Sequence, residues 1–462
     1  MKLKKISLAV MTMWSVALSG AASASGYQFG SQTISGQGSA FSNAAEANDA
    51  SVLFTNPAAM ARLKGTELSA GLTLVVPHSS YTDLGSTNVL GKPTGGGNGG
   101  TFAPKLAGAP SFYLTHEIND RLAVGVGMFV PYGAKLDYGD NWVGRYSLQS
   151  IELKTVDINP SVSFKLNDRH SIGLGVSAQY MTAKMKQAGD VTTAAAEIGA
   201  QYGSSSAGIS GDGQSRISGD DWAYGWNIGY MFQLDEATRF GLAYRSSIKQ
   251  TLKGDWRWDF SKVTGSFTGG HLNGVSMRAL AEEQEPSSKA AVSLATPETL
   301  SANLFHQLNP TIALMGDVTW TRNSRLQDLV ISQSNGVGPA TIHMNWRDTY
   351  RMSVGLNYQV KEGVMLRTGL GYDQSPISGG QARHPSLPDS ARSLLSVGGS
   401  YRLNQNASID WAYTYMHIKD ALAGYTDTCN PALTTCSGNG ETTTGAYKTY
   451  IQMVGIQYNH IF

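Results

Sequence analysis

The chain has 462 residues, among them 53 glycines, 21 tyrosines and 9 tryptophans, and only 15% of its residues are charged. A formal net charge of +1, with no basic cluster interleaved with aromatics, excludes nucleic acid as a partner. No run after residue 24 approaches the ~20 apolar residues that a membrane helix needs. The mean hydropathy of -0.19 still fits a membrane barrel, because only alternate residues of its strands face lipid.

In chain order, Met1-Lys2-Leu3-Lys4-Lys5 is a basic start, Ile6 to Leu18 an apolar stretch, and Ala22-Ser23-Ala24 a small-residue cleavage site. This is the pattern of a signal peptide over residues 1–24, so the exported chain begins near Ser25. Residues 25–65 are rich in Ala, Ser and Asn and lack alternation. They do not make membrane strands, so they are expected to lie in the periplasm or inside a barrel. From residue 66 to 462, segments of period two recur. Ile172, Leu174, Val176, Ala178 and Tyr180 alternate with Gly173, Gly175, Ser177 and Gln179. Tyr350, Met352, Val354, Leu356 and Tyr358 alternate with Arg351, Ser353, Gly355 and Asn357, and Leu366, Thr368, Leu370 and Tyr372 with Arg367, Gly369, Gly371 and Asp373. Charges fall on the small-residue face, which a lumen permits and lipid does not.

The connections alternate too. Asn119-Asp120, Asn167-Asp168, Asp235-Glu236, Asn309-Pro310, Lys361-Glu362 and Asn404-Gln405-Asn406 read as tight turns. Long polar stretches lie between them, near 77–104, 188–220, 256–290, 323–341, 376–390 and 420–446. The last long stretch holds Cys429 and Cys436. In an oxidising compartment these are expected to pair as a disulfide worth ~2 kcal/mol, and no companion His or Cys suggests a metal site. Tyr450, Val454, Ile456, Tyr458 and the terminal Phe462 share one face of a final strand. The fold class is therefore all-β, a transmembrane antiparallel barrel of about fourteen strands with short periplasmic turns and long outer loops. A soluble β-sandwich fails because nearly every strand has one glycine-rich or polar face, leaving no second core.

Gly36-Gln37-Gly38-Ser39-Ala40-Phe41, Asp49-Ala50-Ser51 and Asn56-Pro57-Ala58 resemble the N-terminal hatch of FadL-type long-chain fatty-acid transporters of Gram-negative outer membranes (the OmpP1/FadL/TodX-like family). Further resemblances are Gly225-Trp226-Asn227-Ile228-Gly229, Tyr244-Arg245-Ser246, Tyr372-Asp373-Gln374-Ser375-Pro376 and Tyr415-Met416-His417. The resemblance implies a monomeric barrel with residues 25–65 inside it as a hatch. It also implies a passive route for a long-chain fatty acid or other hydrophobic ligand, with capture at the outer loops, a lumen pocket, and lateral exit through the wall into outer-membrane lipid beneath the lipopolysaccharide. No cofactor is implied.

Residue by residue, Asn56, Pro57 and Ala58 match the hatch motif, where Pro57 fixes its own φ and biases Asn56 away from helix. Pro131, Tyr132 and Gly133 interrupt the third strand. The resemblance makes this an inward kink opening the wall; the alternative is the strand's outer end turning into a loop. Asp373 matches the family position that contacts the hatch asparagine, although hydration or a pair with Arg367 would serve a lumen carboxylate equally. A ligand carboxylate calls for a lumen cation. Lys186, with Lys184 beside it, falls near the family's arginine, while Ile342 or His343 stands where the family has a lysine. Arg351 and Arg367 are further lumen cations. Gly95, Gly97 and Gly100 satisfy G-x-G-x-x-G without its strand and helix, and no G-x-S-x-G, H-E-x-x-H or C-x-x-C occurs, so no enzyme is expected. Rival readings are an aromatic-hydrocarbon channel of the same family and a structural or adhesive barrel whose loops serve as a phage receptor.

Overall fold

A computed structural model of the chain describes residues 26–336, 338–427 and 440–462. The expected signal peptide and the Cys429–Cys436 pair lie outside these residues. The wall is one antiparallel sheet that closes on itself, since β1 (Thr66–Asp83) pairs with both β2 (Ala107–Asn119) and β19 (Thr442–Ile461). It is a closed barrel of 14 strands, several of them interrupted. Closure removes the free sheet edges that hydrocarbon does not tolerate.

The alternation seen in the sequence fixes the faces. Leu174, Val176, Met352, Val354, Leu370, Ile456 and Phe462 are exposed on the outside. Tyr358, Tyr401 and Tyr458 lie toward the short-turn end, and Trp222, Tyr350 and Tyr372 toward the other, as aromatic belts do. All six expected tight turns join successive strands. The long connections are shorter than expected: β1 runs on to Asp83, β6 (His170–Gly189) passes residue 188, and β18 (Ala407–Thr426) passes residue 420. Strand pairing continues beyond the membrane because a two-stranded ladder is equally satisfied in water and its outward residues are polar there. One long connection, residues 138–149, was missed by the turn signals. It folds down on Trp142, which is 1% exposed and stacks on Tyr138 at 4.0 Å.

Residues 26–63 fill the lumen and are almost wholly buried. Thr33 caps the short helix Ile34–Gly38 by accepting the Gly36 N–H, and Asn56 caps the 3-10 turn Pro57–Arg62 by accepting the Ala58 N–H at 3.0 Å. Glycines of the lumen face are the bed for this segment. A Cβ on Gly173 would lie 2.4 Å from the Pro57 carbonyl carbon, one on Gly229 would lie 1.9 Å from Asn56 Oδ1, and one on Gly369 would lie 2.3 Å from Ser39. The wall is thus bare where the segment's backbone comes closest.

Buried charge anchors the same segment. Arg367, 3% exposed, pairs with Glu46 at 2.6 Å, and Asn357 donates to the other Glu46 oxygen at 2.7 Å. Arg239 donates to the carbonyls of Ala45 and Glu46. Over-packing in such a site costs roughly 1–3 kcal/mol. Gly229→Ala is expected to unseat the Asn56 turn by about that amount, seen as faster protease cleavage within residues 26–63 of the folded barrel. Gly424→Ala, where an added Cβ meets nothing within 4 Å, is the matched control and should leave the cleavage rate unchanged.

Candidate functional site

The wall has a slot. β3 (Leu122–Phe129) pairs with β2 from Asn119↔Leu122 to Phe112↔Met128 and then stops. After Val130-Pro131-Tyr132 the strand resumes as β4 (Gly133–Asp137), which pairs only with β5 (Ser150–Lys165) among the described residues. Ala107 to Ser111 of β2 therefore keep their β1 partners and lose those on the other side. Pro110, in that stretch, has no N–H to strand.

The freed edge of β3 and β4 is satisfied by the N-terminal segment, which adds to it as a short extra strand. Phe29 N–H donates to the Pro131 carbonyl and Gly133 N–H to the Tyr27 carbonyl, both at 2.8 Å. The Gln32 amide takes both groups of Val130, donating to its carbonyl at 2.5 Å and accepting its N–H at 3.0 Å. Thr155 Oγ1 accepts the Tyr132 N–H at 2.9 Å. The Phe29 side chain, 4% exposed, packs with Ala107, Ala109 and Val130 and so stops the slot.

Two cavities flank this segment. The outer one, of about 90 Å³, is lined by hydrocarbon: Leu153, Leu252, Val292, Leu294, Ile331 and Ile342 among others, with Tyr27 as its floor. Lys184 stands at its rim and also lines a charged vestibule above it, together with Lys186, Glu152 and Arg216. The inner cavity, of about 100 Å³, is mixed: Gln28, Asn227, Arg245, Asp317, Arg351 and Asp373 line it together with Phe41 and Phe54, with Pro131 and Tyr132 at the slot.

The expected site residues divide accordingly. Lys184 borders the apolar cavity and has no ion-pair partner among the described residues. Lys186 is held by Asp140 at 2.5 Å, and its ammonium keeps the Asp140 carboxyl below the usual range. His343 is turned to Asp328 at 2.6 Å and does not line the apolar cavity. Arg351 pairs with Asp317 at 3.1 Å in the polar cavity. Arg367, read as a headgroup candidate, is instead sealed against Glu46, because a guanidinium this buried needs a fixed carboxylate. The expected contact of Asp373 with Asn56 is not formed. Asn56 donates to the carbonyls of Tyr230 and Leu242, while Asp373 lies 3.8 Å from Arg392. The wall beside Asn56 is glycine, so its amide reaches backbone directly. In the sequence Arg245 stands out only within the Tyr244-Arg245-Ser246 resemblance. The sign that could have singled it out is an arginine on a membrane strand.

The outer connection 374–391 closes over the apolar cavity. Leu387 lines that cavity, and Asp389 accepts the Gly26 N–H at 2.9 Å and pairs with Arg392. His384 in this connection is 2% exposed, with its Nδ1 accepting the Ser386 N–H at 3.1 Å and its ring edge-on to Tyr425. Burial pushes its imidazole down to about 3. Its folded value lies below the free value near 6.5, so the undocked connection binds the proton more readily. Docking is complete above about pH 6.5 and weakens as pH falls from there toward 3. Hydrogen exchange of residues 380–390, corrected for intrinsic rate, should accelerate over that window. His384→Asn should flatten the dependence.

The chain matches, over residues 15–462, the family described as outer membrane protein transport protein (OMPP1/FadL/TodX). It is 32% identical to an outer membrane protein of Neisseria meningitidis serogroup B, covering 95% of each chain. It is 28% identical to the long-chain fatty acid transport protein of Escherichia coli strain K12, covering 85% of this chain and 87% of that one. Among solved structures, a Pseudomonas aeruginosa FadL homologue superposes with a TM-score of 0.81 at 26% identity, over 95% of this chain and 100% of the other. The Pseudomonas putida toluene transporter TodX shares the fold, with a TM-score of 0.64 at 14% identity over 89% of this chain and 94% of its own. A closed membrane barrel with a plugged lumen, an apolar cavity and a family match over nearly its whole length make this chain a bacterial outer-membrane transporter for hydrophobic molecules, belonging to the OMPP1/FadL/TodX family.

Proposed function

We propose that the protein is a passive uptake channel for long-chain fatty acids, with residues 26–63 as its gate. The observation that carries the reading is the junction at Lys184, where an all-hydrocarbon cavity meets a charged vestibule. An alkyl chain gains ~0.8 kcal/mol for each methylene taken from water into such a cavity. A carboxylate attached to it must stay hydrated or paired, and Lys184 stands where the head would emerge.

Onward passage follows from the floor and the slot. Tyr27 floors the apolar cavity, and the same short stretch, through Phe29 and Gln32, stops the slot between β2 and β4. Withdrawal of Tyr27 to Gln32 would join the cavity to the slot in a single movement, and the ligand would leave sideways into the membrane. Diffusion down the gradient supplies the drive, because the apolar chain is never returned to water.

A second reading is that the cargo is an aromatic hydrocarbon. Lys184 is the one cation lining the apolar cavity among the described residues, His343 being engaged by Asp328, and a neutral ligand needs none.

Uptake of labelled oleate and labelled toluene, in cells lacking their own transporter, tests both readings. Oleate uptake is expected, falling several-fold with Asn56→Ala at equal surface level. Toluene uptake alone would replace the first reading by the second. Lys184→Gln should weaken oleate binding by about three- to fivefold, the size expected of an exposed charge pair, and leave toluene binding unaltered. Equal weakening of both ligands would remove Lys184 from the headgroup role.

A further inference from the structure

The inner cavity, where Phe54 and Tyr132 stand among polar groups, contains a cation placed at the slot. Arg245 ends β8 (Thr238–Arg245), its guanidinium 5.3 Å from the ring of Phe129, the last residue before the strand break, and 5.1 Å from that of Phe54. Two of its donors are used, on Ser177 Oγ at 3.2 Å and on the Phe54 carbonyl at 3.0 Å. No carboxylate is in ion-pair contact with it among the described residues. Asp317 belongs to Arg351, Asp373 lies beside Arg392, and Asp157, which faces Phe129 in the strand register, acts on Arg245 from farther off. A guanidinium at membrane depth is costly without an anion, and this one borders a cavity with no further hydrogen-bond partner among the described residues.

A neighbouring donor points the same way. Ser161 donates to Asn159 Oδ1, and Asn159 Nδ2 donates to Asn227 Oδ1 at 2.9 Å. This chain fixes the Asn227 amide, leaving its Nδ2 buried, lining the cavity and without a protein acceptor; the residue is 3% exposed. Asn227 is also the register partner of Arg245 on the adjacent strand. A fork of guanidinium N–H groups beside a fixed amide N–H is a donor set for a carboxylate.

We propose that Arg245 and Asn227 form a second carboxylate station, at the slot, which takes the head of an alkyl carboxylate after it leaves Lys184. The proposal rests on the fatty-acid reading above. With the head at Arg245, the chain would lie along Phe54, Phe129 and Tyr132 toward the slot, so the ligand enters the membrane tail first. The station would also favour carboxylates over neutral chains at a point where the apolar cavity does not discriminate.

The test uses the full-length barrel in lipid nanodiscs with oleate labelled with carbon-13 at its carboxyl. Two bound carboxyl resonances are expected at saturation. Arg245→Gln should abolish one, Lys184→Gln should move the filling of the other to about three- to fivefold higher oleate concentration, and Arg245→Lys should retain both. In cells, Arg245→Gln should lower the ratio of oleate to oleyl alcohol uptake about tenfold. A single resonance sensitive only to Lys184 would overturn the second station and leave the fatty-acid reading standing. Loss of both ligands in parallel would show that Arg245 merely holds Phe54 in place, which also overturns the proposal. Absence of any bound oleate in the unaltered protein would bring down both.

Discussion

The structure turns on one backbone problem: a membrane wall must leave no peptide group unpaired, and this wall is broken between Phe129 and Gly133. An ordinary barrel solves the problem by closure alone. Here the edge exposed by the break is completed by a piece of the same chain from inside the lumen. Tyr27 and Phe29 supply backbone and Gln32 supplies a side-chain amide that imitates it. The donor segment cannot be removed without exposing peptide groups. The bonds that complete the break are exchangeable and directional hydrogen bonds.

The rest of the lumen can be read as the means of presenting those six residues at the break. Glycines at 173, 229 and 369 let the segment's backbone lie against the wall. The Arg367–Glu46 pair and the Arg239 bonds tether its middle. Such buried pairs add little net stability over apolar packing, but breaking one partner is severe, so they specify a single seating. The anchored middle and the short pairing at the start have different chemistry. Ion pairs hold Glu46, whereas Tyr27 and Phe29 are held by neutral hydrogen bonds and packing.

The two cavities divide the labour by polarity. Hydrocarbon lines the outer one, and donors and acceptors share the inner one with Phe41 and Phe54, with Tyr27 and Gln28 on opposite sides of the same short stretch. On the proposed route the outer cavity would take the tail while the head rests at Lys184, and the inner cavity would then take the head. The connection 374–391 joins this arrangement from above, since Leu387 roofs the apolar cavity and Asp389 holds Gly26. The outer face and the start of the plug are consequently in direct contact.

Much of this was written in local pattern. Period-two alternation sets the faces of Ile172 to Tyr180 and of Tyr450 to Phe462, because a strand's side chains must alternate whatever surrounds it. Asn-Asp and Asn-Pro turns mark the short connections, and Pro131-Tyr132-Gly133 marks the break, because proline removes a ladder donor wherever it stands. These properties belong to the residues themselves. Which lumen cation meets a ligand and which is a tether does not. Arg367 and Arg245 both sit on lumen faces of strands, yet one is closed against Glu46 and the other borders a cavity. The difference comes from residues more than 180 positions away in sequence, brought there by the folding of the N-terminal segment. For the same reason the resemblance pairs Asp373 with Asn56, whereas the Asn56 amide bonds the backbone of Tyr230 and Leu242. The sequence by itself determined the barrel, its faces, its turns and its broken strand, since each follows from local backbone and solvent preferences. Only the tertiary structure decided the partners within the lumen, since charge pairing depends on distance and burial rather than on order along the chain.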